Sequence, residues 1–257
     1  MNVVHVFLLI CVHCVVIGTG KLIHSPLLKE PFEYEDENYD IIEGDILVKK
    51  GLGRNAMTDP AKHWPDRTIP YEINGTYNED EMGWLMKGIN SYNERTCIRI
   101  IPKTEEHENW IVIGNDKPGC FAYLGFRNQG PQVVNLGHGC LWNEATPVHE
   151  LLHACGIDHE HNRADRDEYV KILWENIQED QKHNFKKVDP NLYSDYGIEY
   201  NYDSVMHYWD TAFSKDPSLK SFETLKPYDG PFGDAIGWAD SDIEKLHRMY
   251  ECTSRFG

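Results

Sequence analysis

The run HELLHACGIDH, residues 149 to 159, constrains this chain more than any other stretch, because its fold must bring His149, His153 and His159 together. Thr146-Pro147 reads as a helix start, with Thr as N-cap and Pro in the first turn, and Gly156 as a helix stop. Between them His149 and His153 are one turn apart on a common face, within reach of a single ion. Gly156 can take the left-handed conformation that ends the helix, so that the chain swings His159 back to the same ion. Three neutral imidazoles on Zn2+ leave a fourth position for water, which is the mark of a catalytic rather than a structural site. Glu150 follows one ligand and can lean towards that water without binding the metal. There it would act as general base and then pass the proton to a leaving amine. A bare H-E-x-x-H arises by chance on helix surfaces, but a third His at this spacing, with Gly between, does not do so readily. A G-x-S-x-G nucleophile elbow and a P-loop are both absent.

Further on, YDSVMHY contributes Met206, expected as a hydrophobic floor beneath the metal, although alone it would be an ordinary core methionine. Tyr208 could reach the metal or an oxyanion with its phenol. His207 is expected to be structural or exposed, since three histidines already suffice.

The rest of the chain sets the context. Val3 to Ile17 is apolar and is followed by Gly18-Thr19-Gly20, the pattern of a secretory signal peptide over residues 1–20, too short for a spanning helix. Export to the extracellular space fits the cysteines. Cys97, Cys120, Cys140, Cys155 and Cys252 remain after the signal, and two disulfides plus one free thiol is the simplest arithmetic; sequence alone leaves the pairing open. A net charge of −17 repels phosphate backbones and anionic membranes, so neither nucleic acid nor a membrane is an expected partner. Residues 21–54 read as an acidic pro-segment without a fold, running into the basic, Gly-punctuated loop KKGLGRNA (residues 49–56), a good site for a trypsin-like protease. Residues 55–257 read as one catalytic unit. In it Thr68–Ile73, Ile98–Ile101, Trp110–Gly114 and Gln132–Leu136 are predicted strands. Helices are predicted from the Met82, Leu85, Met86, Ile89, Tyr92 spacing, with an Asn78/Glu81 capping box, and around Asp240–Tyr250. Asn74-Gly75-Thr76 is a glycosylation sequon at Asn74.

With these residues in hand, HELLHACGIDHEHNRADRDEYV followed by SVMHY closely resembles the signature of the astacin family of secreted zinc endopeptidases, within the metzincins. HWPDRTIPYEI and WADSDIEKLHRMYEC extend the likeness over nearly everything after Arg54. The resemblance implies an α+β, two-lobed metzincin fold. Its upper lobe would hold a twisted mixed sheet and the zinc-binding helix, and its lower lobe would be irregular with the C-terminal helix. It implies one zinc ion on His149, His153 and His159, Glu150 as base, and Tyr208 as a tyrosine that leaves the zinc to stabilise the tetrahedral intermediate. It implies the bridges Cys97–Cys252 and Cys120–Cys140. Family pro-segments carry F-x-G-D, whose Asp takes the open zinc position; Ile42-Glu43-Gly44-Asp45 matches with Ile for Phe, making Asp45 the latent-form ligand. Counting back from Trp64 puts activation between Arg54 and Asn55, after which the freed N-terminus would be buried against Glu160. Without such a partner a buried Glu160 would be costly, so activation would order the lower lobe. Cys155 departs from the usual aliphatic residue, and Glu144 stands where Gly is common. Protein or peptide substrates and a monomeric state complete the expectation. An inactive zinc-stabilised binding protein and an exopeptidase are the alternatives, and the presence of both Glu150 and Tyr208 counts against the first.

Overall fold

The computed structural model describes residues 39–50, 58–230, 232–233 and 235–252; residues 1–20, expected as a signal, and the expected cleavage point at Arg54 and Asn55 lie outside them. The sheet has seven strands. In chain order they are β1 (Tyr39–Ile42), β2 (Ile46–Lys49), β3 (Thr68–Ile73), β4 (Arg99–Pro102), β5 (Trp110–Gly114), β6 (Cys120–Tyr123) and β7 (Pro131–Leu136). They lie side by side as β1-β2-β6-β7-β5-β3-β4. The run β7, β5, β3, β4 is parallel and β6 is antiparallel to β7. The strand pattern of the sequence does not reveal β6. All four of its residues are buried, so CFAY shows none of the alternation that marks a half-buried strand.

Helix α1 (Glu79–Arg95) begins at the capping box read in the sequence: Asn78 Oδ1 accepts from the Glu81 N–H at 3.0 Å, and the Glu81 carboxylate accepts from the Asn78 N–H at 2.9 Å. Leu85, Ile89 and Tyr92 line one face at helical spacing and are buried against the sheet and α2 (Ala145–Cys155). The Tyr92 hydroxyl donates to the Val148 carbonyl at 2.7 Å, which ties α1 to α2. α2 starts two residues before the predicted Pro147. Its first N–H, that of Ala145, donates to the Asn143 side chain at 2.8 Å, and Thr146 is not the cap.

Gly88 sets how closely α1 approaches α2. A Cβ built there would lie 2.8 Å from the Pro147 ring, whose atoms cannot swing away. Gly88→Ala is therefore expected to be destabilising. The helix-propensity gain of up to ~1 kcal/mol is outweighed by overpacking of about 1–3 kcal/mol. A fall in midpoint on urea unfolding, with unchanged slope, would establish it; an unchanged or raised midpoint would refute the tight contact.

Residues 39–50 depart from the expectation that the pro-segment has no fold. β1 and β2 form an antiparallel hairpin, and β2 pairs in parallel with β6 through Ile46↔Ala122 and Leu47↔Tyr123. Ile46 and Leu47 are 0% and 2% exposed, and burying two such side chains contributes roughly 1.5–3 kcal/mol each. The partner strand is distant in sequence, so no local pattern announces this pairing.

A second apolar cluster lies apart from the first. It gathers β8 (Val170–Ile172), β9 (Phe222–Thr224), Phe185, Tyr200, Tyr202 and Tyr208 among short turns. α3 (Asp240–Met249) returns to the first core through Leu246, Met249 and Tyr250. Cys97–Cys252 and Cys120–Cys140 are bonded, and Cys155 is free and buried. No helix among the described residues is long and apolar enough to cross a membrane.

Candidate metal centre

α2 ends in a way that delivers the histidines. Gly156 is left-handed at φ 103°, its N–H donates to the His153 carbonyl at 2.8 Å, and the Ile157 N–H donates to Leu152 at 2.9 Å. That is a Schellman turn, as the Gly implied. The next carbonyls of α2 are satisfied from outside: the Trp64 indole donates to Ala154 and the Tyr250 hydroxyl to Cys155, both at 2.8 Å. The chain reverses and His159 meets His149 and His153, with ring centroids 4.6–5.3 Å apart.

Each ring is oriented by its outer nitrogen. His149 Nδ1 donates to the Val205 carbonyl at 2.7 Å and His153 Nδ1 to the Ile157 carbonyl at 2.8 Å. His159 Nδ1 donates to the Glu43 carboxylate at 2.9 Å. Carbonyls and carboxylates only accept, so each Nδ1 carries a proton, and a neutral ring then turns its Nε2 lone pair inward, towards a cation. All three Nε2 atoms face Asp45, at 3.1 Å (His149), 3.5 Å (His153) and 3.2 Å (His159). Burial pushes the His153 pKa down to about 4, which keeps its imidazole neutral.

Three inward lone pairs around a carboxylate, in a site where His153 and His159 are 0% and 1% exposed, repel one another unless a cation lies between them. Asp45 Oδ1 and His153 Nε2 are buried and make no hydrogen bond among the described residues. Four ligands about 2.0–2.1 Å from one zinc, placed tetrahedrally, lie about 3.3 Å apart; the three Nε2–Asp45 separations are close to this, and all four ligand atoms lie within 4.8 Å of one another. The set of Asp45, His149, His153 and His159 therefore fits one zinc ion.

The other candidates surround this set. Glu150 is 1% exposed; burial first, and then the Asp45 charge, push its carboxyl well up. Tyr208 packs its ring 4.6 Å from His159 and 3.9 Å from His161. Met206 is fully buried in the turn between Ser204 and His207. His207 is buried and bonded to the Tyr200 hydroxyl and the Tyr208 carbonyl. Asn74 is exposed.

Glu160 differs from its expected setting. It is 1% exposed, yet Lys245 and Arg163 already pair with it and the Asn201 N–H donates to it at 3.1 Å. Its burial is compensated within the described residues, because α3 and the loop after His159 bring two cations that are scattered in sequence. Arg163 also pairs with Asp165, and Arg166 donates to the His161 and Phe185 carbonyls, bracing that loop.

Two contributors escaped the sequence reading. Asp242 on α3 accepts from the Ser204 hydroxyl, the Val205 N–H and the Ala239 N–H, and so fixes the turn whose carbonyl orients His149. Glu43 orients His159. Both are acidic residues in acidic surroundings, with no local signal to separate them from neighbours.

A family model for astacin, a peptidase family, matches residues 56–251. Zinc metalloproteinase nas-7 of Caenorhabditis elegans is 39% identical over 212 residues, covering 82% of this chain and 54% of that protein. Zinc metalloproteinase nas-8 of Steinernema carpocapsae is 41% identical over 209 residues, covering 80% and 48%. The chain spans about half the length of these curated relatives. Among solved structures, high choriolytic enzyme 1, a hatching enzyme zinc-protease from Oryzias latipes, shares the fold with TM-score 0.69 at 31% identity, over 76% of this chain and 97% of that one. With the fold, the three-histidine centre and the family match in agreement, this chain belongs to the astacin family of zinc peptidases.

Proposed function

We propose that this chain is a secreted zinc endopeptidase made as a latent precursor, with residues 1–20 as signal, 21–54 as pro-segment and 55–257 as catalytic domain. The observation that carries the reading is the convergence of three imidazole Nε2 atoms on Asp45, a residue from the pro-segment. His149, His153 and His159 would hold the zinc. When bound, the ion lowers the pKa of water and polarises a scissile carbonyl. Glu150 takes the proton of the attacking water and passes it to the leaving amine. The Tyr208 phenol donates a hydrogen bond to the developing oxyanion, and Met206 packs beneath the centre as a floor.

Extended polypeptide suits the site, because such a chain can add as a strand to an open sheet edge. β2 pairs with β6 on the edge beside the histidines and would exclude a substrate strand from it. Latency then combines an occupied edge with Asp45 in the water's place. Cleavage between Arg54 and Asn55 by a trypsin-like protease would release both. The freed amine would then join Glu160 in a site whose charge Lys245 and Arg163 already balance. Two disulfides suit an oxidising, extracellular compartment, and exposed Asn74 is available for glycosylation. A monomeric state is part of this reading.

The test is casein cleavage by trypsin-treated precursor, with trypsin quenched by a serine-protease inhibitor before the assay. Cleavage abolished by phenanthroline and restored by added zinc is the expected result. A zinc-loaded, correctly trimmed protein that leaves casein and a broad peptide library intact would overturn the endopeptidase reading in favour of a binding protein.

A further inference from the structure

We propose that Glu43, at the variable position of the Ile42–Asp45 stretch, is a second anchor of the pro-segment on the metal centre, one that makes the precursor hold zinc more tightly than Asp45 alone would. The inference rests on the zinc and latency reading above and concerns a residue that reading does not use.

Among the three histidines, His159 alone has a charged outer partner, and that partner comes from the pro-segment. Val205 and Ile157 supply neutral carbonyls to His149 and His153, whereas the Glu43 carboxylate accepts from His159 Nδ1 at 2.9 Å. The side chains of Glu43 and His159 are both fully buried, so the carboxylate lost its hydration to reach this place. A charge-assisted hydrogen bond is what offsets such a loss. Asp158 lies farther out, 4.0 Å from the same nitrogen, and already accepts from the His159 N–H at 2.7 Å.

The backbone supports the same conclusion. Glu43 is left-handed at φ 53°, ahead of Gly44 at φ 80°. Glycine takes that conformation without cost, and a glutamate does not. A non-glycine residue kept there, with its side chain buried against a functional group, points to a contact that over-determines the strain. Its N–H is also held, donating to Asn184 Oδ1 at 2.9 Å, and the Asn184 Nδ2 donates in turn to Gln181 at 2.8 Å. The hairpin tip is thus fastened to the Glu179–Phe185 turn while its carboxylate holds a ligand ring.

A carboxylate on the outer nitrogen of a ligating histidine fixes the ring and raises the basicity of the inner nitrogen, and losing such a partner costs about 10–100-fold in metal affinity. Here the partner leaves with the pro-segment, so the effect is confined to the precursor. Glu43, Asp158 and His159 also lie within 4.8 Å of one another and could be taken for a second metal site. His159 turns its Nε2 to the Asp45 set, so its Nδ1 is left to donate to Glu43, at 2.9 Å, rather than to bind a second ion.

Zinc affinity of the full precursor, measured by competition with a chromophoric chelator, tests this for wild type, Glu43→Ala and Glu43→Gln. Wild type is expected to bind one zinc. Glu43→Ala should weaken binding about 10–100-fold, and Glu43→Gln, whose amide oxygen still accepts, should fall between. After trimming at Arg54 all three yield the same mature chain, so equal mature affinities exclude misfolding as the cause. Glu43→Ala precursor that holds zinc as tightly as wild type overturns the proposal, as does a second zinc bound per wild-type precursor. A wild-type precursor with no zinc would instead overturn the reading on which it rests.

Discussion

Glu150→Gln is expected to leave the protein folded and zinc-loaded while removing nearly all turnover. The amide keeps the shape and loses the lone base, so the loss should reach the roughly 10²–10⁴-fold that a positioned general base contributes. Folding should not suffer. Glu150 is 1% exposed, one of its oxygens makes no hydrogen bond among the described residues, and burial disfavours its charged form. A neutral amide there is at least as easily buried as a carboxylate. Steady-state peptide hydrolysis, run beside metal content and an unfolding curve, separates the two effects. Turnover within tenfold of wild type would exclude Glu150 as the base. Lost zinc or lowered stability would mean that the substitution damaged the site as a whole.

Asp45→Ala in the uncut precursor should have the next largest effect, in the opposite direction. The wild-type precursor is expected to be silent. Without the carboxylate the ion that His149, His153 and His159 would hold loses its fourth ligand, and one contact to a charged group is worth roughly 1.5–3 kcal/mol. Shifting a closed-to-open equilibrium by that amount raises the open population between about tenfold and about a hundredfold. Activity should remain below that of the trimmed enzyme, because Ile46 and Leu47 still pair β2 with β6 and Glu43 still holds His159. Chelator-sensitive hydrolysis by intact precursor, with Arg54 replaced to prevent trimming, is the measurement. A zinc-loaded Asp45→Ala precursor as silent as wild type would remove Asp45 from the latency mechanism and leave β2 as the block.

Much of the site was legible because its logic is local. His149 and His153 share a helix face by the 3.6-residue repeat, and Gly156 ends the helix with the turn that returns His159. The Asn78/Glu81 box and the Leu85, Ile89, Tyr92 stripe lie within one helix and depend on nothing else. Local reasoning went wrong at the start of the histidine helix, which begins before Thr146 and where Asn143 accepts from the first N–H, that of Ala145. It also could not see β6, whose residues are buried on both faces and so carry no period.

What the sequence determined alone is the kind of chemistry: three imidazoles and a carboxylate at spacings set by one helix and one turn, in a chain of this family. Tertiary structure decided who holds those groups in place. Asp242 from α3 braces the turn behind His149, Lys245 from the same helix balances Glu160, and a hairpin from residues 39–50 brings Glu43 and Asp45 to histidines more than a hundred positions away. Each is one acid or lysine among many in an acidic chain of net charge −17, and carries no neighbour pattern of its own. Their roles arise only when sheet pairing and core burial bring distant segments within hydrogen-bond range, because electrostatic partners are chosen by distance in space and not along the chain.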